Sequence, residues 1–234
     1  PEYDAFGMDL PSDHSDRYAM AQEWFDYVTR LWREDSAFDW EGAFFSGKGV
    51  YGLPHPIQQR VPVINAAASE EGRAFAMRNA DFLFTPVFDF DQAKATVVDI
   101  TERAASVKRK VDVLTVCTVV CRPTQQEADD YLHWYADEQA DWEAVDNLMT
   151  LQGMHAQSFT PEALALYRDR MAAGHGGFPL VGTPDMIADL LETLSDTGIA
   201  GTTLAFVDYA KEFPYFRQEV LPRLEAKGLL QPAN

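Results

Sequence analysis

Val61-Pro62-Val63-Ile64-Asn65-Ala66-Ala67-Ala68-Ser69-Glu70-Glu71-Gly72-Arg73 reads as a short buried strand that runs through three small residues straight into a helix. Val63 and Ile64 supply the β-branched bulk that a buried strand favours. Ala66, Ala67 and Ala68 are nearly bare of side chain, so backbone and a ligand can approach closely there. Ser69 stands at the helix N-cap position, and Glu70-Glu71 fill the first turn. The N–H groups of such a helix start, with a hydroxyl beside them, suit an anion such as phosphate. The same residues also describe an ordinary capped helix after a strand, and the two carboxylates favour an anion only if they point away.

Outward from this stretch, strands and helices alternate. On the C-terminal side, Asp81-Phe82-Leu83-Phe84-Thr85-Pro86 is the next short strand. A helix follows over about 91–110, with Ala93, Val97, Ile100 and Ala104 on its inner stripe. Residues 111–121 form a long apolar strand, and Thr124 caps a helix reaching about Leu151. Trp134 and Trp142 on that helix read as packing anchors before stacking platforms. Thr160-Pro161 opens a further helix. The glycine-rich residues 174–182 read as a flexible loop, either a connector or part of a lid. A helix over 183–197, a strand over 201–207 and a helix over 208–227, interrupted at Pro214 and Pro222, complete the chain. On the N-terminal side, Ser15 or Asp16 caps a helix to about Glu34 whose buried face carries Met20, Trp24, Val28 and Leu31. Phe38 to Phe45 reads as a hairpin turning near Glu41-Gly42, and Leu53-Pro54-His55-Pro56 as a rigid connector. The alternation implies an α/β fold with a parallel sheet, of which four core strands are visible.

The 234 residues, 47% hydrophobic, suffice for one large core or two small ones. A net charge of −18 repels nucleic acid and anionic membranes, so neither is an expected partner. No apolar run approaches the ~20 residues of a membrane span, no signal peptide is visible, and the sequence opens on Pro1. Cys117 and Cys121 share a strand face but stand roughly 13 Å apart, too far to bridge. No further Cys or His lies near enough in sequence to complete a metal site. They read as buried structural thiols, which fits a reducing cytoplasm.

Four passages together resemble the C-terminal half of the bacterial-luciferase-like flavin monooxygenases, in the branch of the pyrimidine and alkanesulfonate monooxygenases. Glu2-Tyr3, Phe6-Gly7-Met8 and Arg17-Tyr18 are similar to the loop leading into that family's middle helix. Phe38-Asp39-Trp40-Glu41-Gly42 with Pro54-His55-Pro56 resembles its hairpin and proline connector. Residues 63–69 through Ala80-Asp81 resemble its phosphate-side strand and helix. Leu180-Val181-Gly182-Thr183-Pro184 through Gly201, Phe206 and the segment 216–222 resemble its closing βα unit.

The resemblance implies a (β/α)8 TIM-barrel type of fold, incomplete here because the family's N-terminal strands are not in this sequence. Residues 1–234 would be one barrel domain, with 124–182 as a helical insertion. It implies an FMN-dependent monooxygenase that uses reduced FMN, supplied by a separate flavin reductase, and O2 to oxygenate a small organic substrate. A homo-oligomer in the cytoplasm is the expected form. Two alternatives remain: a non-catalytic flavin-binding or subunit-interface protein, and a deazaflavin-dependent oxidoreductase of the same fold. The resemblance makes Glu2, Arg17, Tyr18 and Ser69 cofactor-binding residues, Ser69 at the phosphate and Arg17-Tyr18 at the flavin. Barrel active sites lie at the C-terminal strand ends, which places Glu2, Ser69, Thr85 and Asp208 near one mouth. Close relatives often carry Gly-Ser-Ser where this chain has Ala67-Ala68-Ser69, which removes one hydroxyl from the phosphate side. The catalytic residues are unknown from this sequence. Phe44, Phe45, Tyr51 and Phe178 are candidates for an apolar substrate pocket or for plain core.

Overall fold

A computed structural model describes residues 6–7, 11, 13–58, 60–67, 69–153 and 160–230. The chain divides into two compact units, Pro1–Asp81 and Phe82–Asn234.

The first unit opens with helix α1, His14–Arg33. Asp13 caps it, accepting from the Ser15 backbone N–H at 2.7 Å and the Ser15 hydroxyl at 2.6 Å. The expected cap at Ser15 or Asp16 is therefore displaced. A carboxylate at Asp13 reaches the first N–H groups, and Ser15 becomes its donor. Trp24 is 51% exposed and is not part of the buried face, contrary to the helical stripe read from sequence. Phe25, one position on, packs edge-on to Phe75, and Tyr27 edge-on to Phe38.

Strands β1 (Phe38–Glu41) and β2 (Ser46–Val50) pair antiparallel. The turn covers 42–45 and not Glu41-Gly42, because Glu23 on α1 organises it. Its carboxylate accepts from the backbone N–H of Ala43, Phe44 and Phe45 at 2.9–3.0 Å and from Trp40 Nε1 at 3.3 Å. Gly42 leaves room for that carboxylate, since a Cβ there would fall 1.9 Å from Glu23 Oε1 and push it from its N–H partners.

Strand β3 is only Ile64–Asn65, followed by α2, Glu70–Asn79. The expected strand over 61–66 is shorter, and Ile64 is 59% exposed rather than buried. Pro62 lacks an N–H for a ladder. The Asn65 side chain accepts the Ala67 N–H at 2.9 Å, which turns the backbone out of extended pairing. Asp81 fixes the start of the strand: it accepts from Val63 N–H at 2.9 Å, donates its own N–H to the Val63 carbonyl at 2.8 Å and pairs with Arg60 at 3.0 Å.

The second unit is a parallel sheet covered by helices. Its strands are β4 (Phe82–Phe84), β5 (Asp112–Cys121), β6 (Phe178–Gly182) and β7 (Gly201–Ala205). β5 pairs with β4 over 112–114, with β6 over 117–121 and with β7 over 114–118, all parallel. Leu114 has partners in both β4 and β7, and Cys117 in both β6 and β7, so β7 lies across β5 from the other two. Helix α3, Phe90–Ser106, buries Ala93, Ile100 and Ala104 as its spacing predicts. It stops short of Lys110 because Lys108 adopts φ 57°. Cys117 and Cys121 are free, buried thiols, each with its pKa pushed up to about 11 chiefly by burial.

The predicted helix over 124–151 is three pieces. They are α4 (Gln125–His133), a π-helical turn (Trp134–Glu138) and α5 (Trp142–Leu151), which Asp141 caps afresh. Helix α6, Pro161–Gly174, follows, and the glycine-rich stretch after it is no open loop. His175 closes α6 in the left-handed conformation, and the Gly176 N–H returns to the Arg170 carbonyl at 3.0 Å. Gly174 and Gly177 lie against Thr118, where a Cβ would come within 2.5 Å of its hydroxyl. The next residues are the missed strand β6. Its signal is masked by Pro179, an exposed residue on a strand that, among the described residues, pairs only with β5. Helices α7 (Pro184–Asp196), α8 (Tyr209–Glu219) and α9 (Leu221–Ala226) complete the unit. Among the described residues, no helix is long and apolar enough to cross a membrane.

Two outcomes follow. Leu180 on β6 is fully buried, so Leu180→Ala should cost about 2–5 kcal/mol, read as a lower urea midpoint; a mobile loop there would give almost no change. Burial opposes the charge of Glu23, yet the N–H groups of Phe45, Phe44, Trp40 and Ala43 outweigh it and hold the carboxyl below the ordinary 4.5. A lowered folded-state value means that this stabilisation is present above pH about 4.5 and is lost as pH falls through the folded value. Glu23→Gln should therefore lower the melting temperature at pH 7 and flatten its fall below pH 4.5.

Candidate functional site

In the first unit, the organising stretch brings two hydroxyl groups together at a helix start. Ser69 caps α2, accepting from the Gly72 N–H at 3.1 Å. Its hydroxyl donates to Tyr18 Oη at 3.4 Å, reaching the first turns of α1, 51 residues earlier in the chain. Gly72 makes the approach possible. A Cβ there would lie 2.4 Å from Tyr18 Oη, 2.4 Å from the Ala67 Cβ and 3.1 Å from Ser69 Oγ. Phe75, one turn along α2, supports the Tyr18 ring at 6.1 Å. Glu70 and Glu71 are exposed to solvent.

Arg17 occupies the helix position before Tyr18, and adjacent helical positions point about 100° apart. Its Nη1 donates to the Pro11 carbonyl at 3.1 Å. Glu2, the fourth expected cofactor residue, lies outside the described residues. Of the expected pocket aromatics, Phe178 is buried core on β6, its ring tilted against that of Phe90 at 5.3 Å. Phe44 and Tyr51 are exposed on or beside the hairpin.

The second unit carries residues that the sequence reading passed over. Arg122 directly follows β5. It donates from Nη2 to Glu212 on α8 at 2.5 Å and from Nη1 to the Cys121 carbonyl at 2.8 Å. Its guanidinium lies 3.9 Å over the Tyr131 ring. Glu212 also accepts the Asp208 N–H at 3.0 Å. Burial and the Glu212 carboxylate both raise the Tyr131 pKa, so its hydroxyl stays protonated at neutral pH. Asp208 caps α8 and pairs with Lys211 at 2.9 Å; the Lys211 ammonium holds its carboxyl below the ordinary value. Thr85 and Asp208 each follow the C-terminal end of a strand, as expected. The same rule applied to Arg122 would have found it, because it is the first residue after the longest strand.

The model of the luciferase-like monooxygenase family matches residues 1–201. The chain is 30% identical over 226 residues to the FMNH2-dependent dimethylsulfone monooxygenase of Pseudomonas fluorescens (strain Pf0-1), covering 92% of this chain and 61% of that protein. It is 28% identical over 279 residues to the dimethyl-sulfide monooxygenase of Hyphomicrobium sulfonivorans, covering 96% and 58%. The chain thus spans about three fifths of the length of the curated relatives it matches. In structure it is similar to a riboflavin lyase (TM-score 0.81, 22% identity, 98% of this chain and 61% of that one). It is equally similar to DmoA from Hyphomicrobium sulfonivorans (TM-score 0.81, 23% identity, 97% and 59%), and at these identities both likenesses speak for the fold alone. A parallel sheet with crossover helices, a hydroxyl-capped helix after a short strand and a family match over most of the chain converge: this chain belongs to the luciferase-like monooxygenase family.

Proposed function

We propose that the protein is a flavin-dependent monooxygenase that uses reduced FMN and O2 to oxygenate a small organic substrate. A separate reductase would supply the reduced flavin, and the working form would be a homo-oligomer. In this reading residues 1–234 belong to one barrel domain, and 124–182 are its helical insertion. The observation that carries the reading is the pair of hydroxyls, Ser69 and Tyr18, held 3.4 Å apart at the start of α2 by the absence of a side chain at Gly72.

That arrangement fits a phosphate group. Two neutral hydroxyls can turn their protons toward anionic oxygens, and a helix N-terminus adds a favourable dipole. Ser69 would hold the FMN phosphate, with Tyr18 orienting the Ser69 hydroxyl and bordering the cofactor. Arg17 would contribute a guanidinium that offsets the acidic chain, and Glu2 would complete the flavin pocket. Bound in its reduced form, FMN supplies the electrons for oxygen activation. The protein's part is to bind, orient and keep water out. Having Ala67-Ala68 where close relatives often carry Gly-Ser leaves Ser69 to act without a second serine beside it.

Ser69→Ala should weaken reduced FMN about ten- to a hundredfold, the scale of one hydrogen bond to a charged group. Reduced riboflavin, which lacks the phosphate, should be unaffected by the same change. Equal losses for both ligands in an anaerobic titration would remove Ser69 from the phosphate. Gly72→Ala should weaken FMN further and lower the melting temperature, because the new methyl must displace Tyr18. With a flavin reductase and NADH, substrate should stimulate oxygen uptake; hydride transfer without oxygen uptake would indicate a deazaflavin enzyme instead.

A further inference from the structure

Beyond the last residues of β5 and β7 lies an open cleft of about 630 Å³, a size suited to a small organic ligand. Three independent features of its walls bear on what it takes. The first is charge. Arg122 and Lys211 are its cations, and Asp208 and Glu212 its anions, so the local charges cancel. The Arg122 guanidinium is already bound to a carboxylate, a carbonyl and an aromatic face. Glu212 is itself held by Arg122 and the Asp208 N–H, and is only 9% exposed. An incoming carboxylate or sulfonate would meet two cations that already have carboxylate partners, Arg122 with Glu212 and Lys211 with Asp208 at 2.9 Å, on a chain of net charge −18.

The second feature is aromatic surface. Trp134 and Tyr209 line the cleft and are 49% and 57% exposed, each with one neighbouring ring beside it, Tyr131 and Phe206. The third is how Trp134 arrives there. It begins the π-helical turn Trp134–Glu138, a rare conformation that shifts side chains out of α-helical register and recurs at functional sites. The turn directly continues α4, whose Tyr131 ring lies 5.8 Å from that of Trp134 and anchors Arg122.

We propose that this cleft receives a neutral, planar organic substrate stacked on Trp134 and Tyr209, and that the closed Arg122–Glu212 pair selects against anions. The word substrate here rests on the monooxygenase reading; the ligand selectivity is measured without flavin or oxygen. Methyl benzoate and benzoate are a pair of probes that differ in charge and share a ring. Calorimetric titration at pH 7.5 should show methyl benzoate binding at least tenfold more tightly than benzoate. Trp134→Ala should weaken methyl benzoate about two- to tenfold, the scale of one aromatic contact. Glu212→Gln keeps the shape and the acceptor oxygen but leaves the Arg122 charge unmatched, so it should narrow or reverse the preference. Circular dichroism confirms that each variant is folded, and Tyr209→Ala tests the second stacking face if Glu212→Gln is not. The proposal is overturned if benzoate binds as tightly as the ester, if neither binds, or if Trp134→Ala leaves the ester unchanged. Ligand selectivity without substrate-stimulated oxygen uptake would overturn the oxygenase reading and leave the cleft's selectivity standing. Oxygen uptake without selectivity would do the opposite.

Discussion

The second unit depends on the two-edged hydrogen bonding of β5. Ten consecutive residues, Asp112–Cys121, present N–H and C=O groups on both sides of the strand. β4, β6 and β7 occupy overlapping lengths of it. A parallel strand covered by helices is largely apolar, and Val113, Cys117, Val119, Val120 and Cys121 are buried in β5, with Thr115 and Thr118 buried among them. Once β5 is fixed, the ends of its neighbours are fixed as well. Arg122 and Asp208 then fall at corresponding strand ends, where Glu212 on α8 can bind both.

The first unit shows a different economy. One side-chain oxygen, that of Ser69, both terminates a helix and meets the Tyr18 hydroxyl. A cap satisfies an N–H that the helix cannot satisfy itself, so its presence alone says nothing about a ligand. The approach of Tyr18 adds information, because packing α2 against α1 does not by itself require a glycine at position 72. Glu23 plays a comparable organising part, gathering three consecutive backbone N–H groups and so setting where the hairpin turns.

Residues 124–151 illustrate how a single helical pattern can be broken for tertiary reasons. Their polar and aromatic side chains suit one long helix, yet Asp141 begins a new one, and a π turn separates the halves. Tyr135, inside that turn, donates to the Ala173 carbonyl at 2.9 Å, which ties the break to the end of α6. Val145, Met149, Tyr167 and Met171 then form a core of their own between α5 and α6.

The sequence by itself determined the alternation of strands and helices, the caps at Ser69, Thr124, Thr160 and Thr183, the inner stripe of α3 and the family resemblance. These are local signals: side-chain periodicity, a hydroxyl placed before a helix, a proline in a first turn. What it could not contain was any contact between residues far apart along the chain. The hairpin register set by Glu23 and strand β6 behind Pro179 were each decided by a partner elsewhere. So were the candidate sites. Tyr18 meets Ser69 across 51 residues, and Arg122 meets Glu212 across 90, through bonds that exist only when packing has brought their helices and strand ends together.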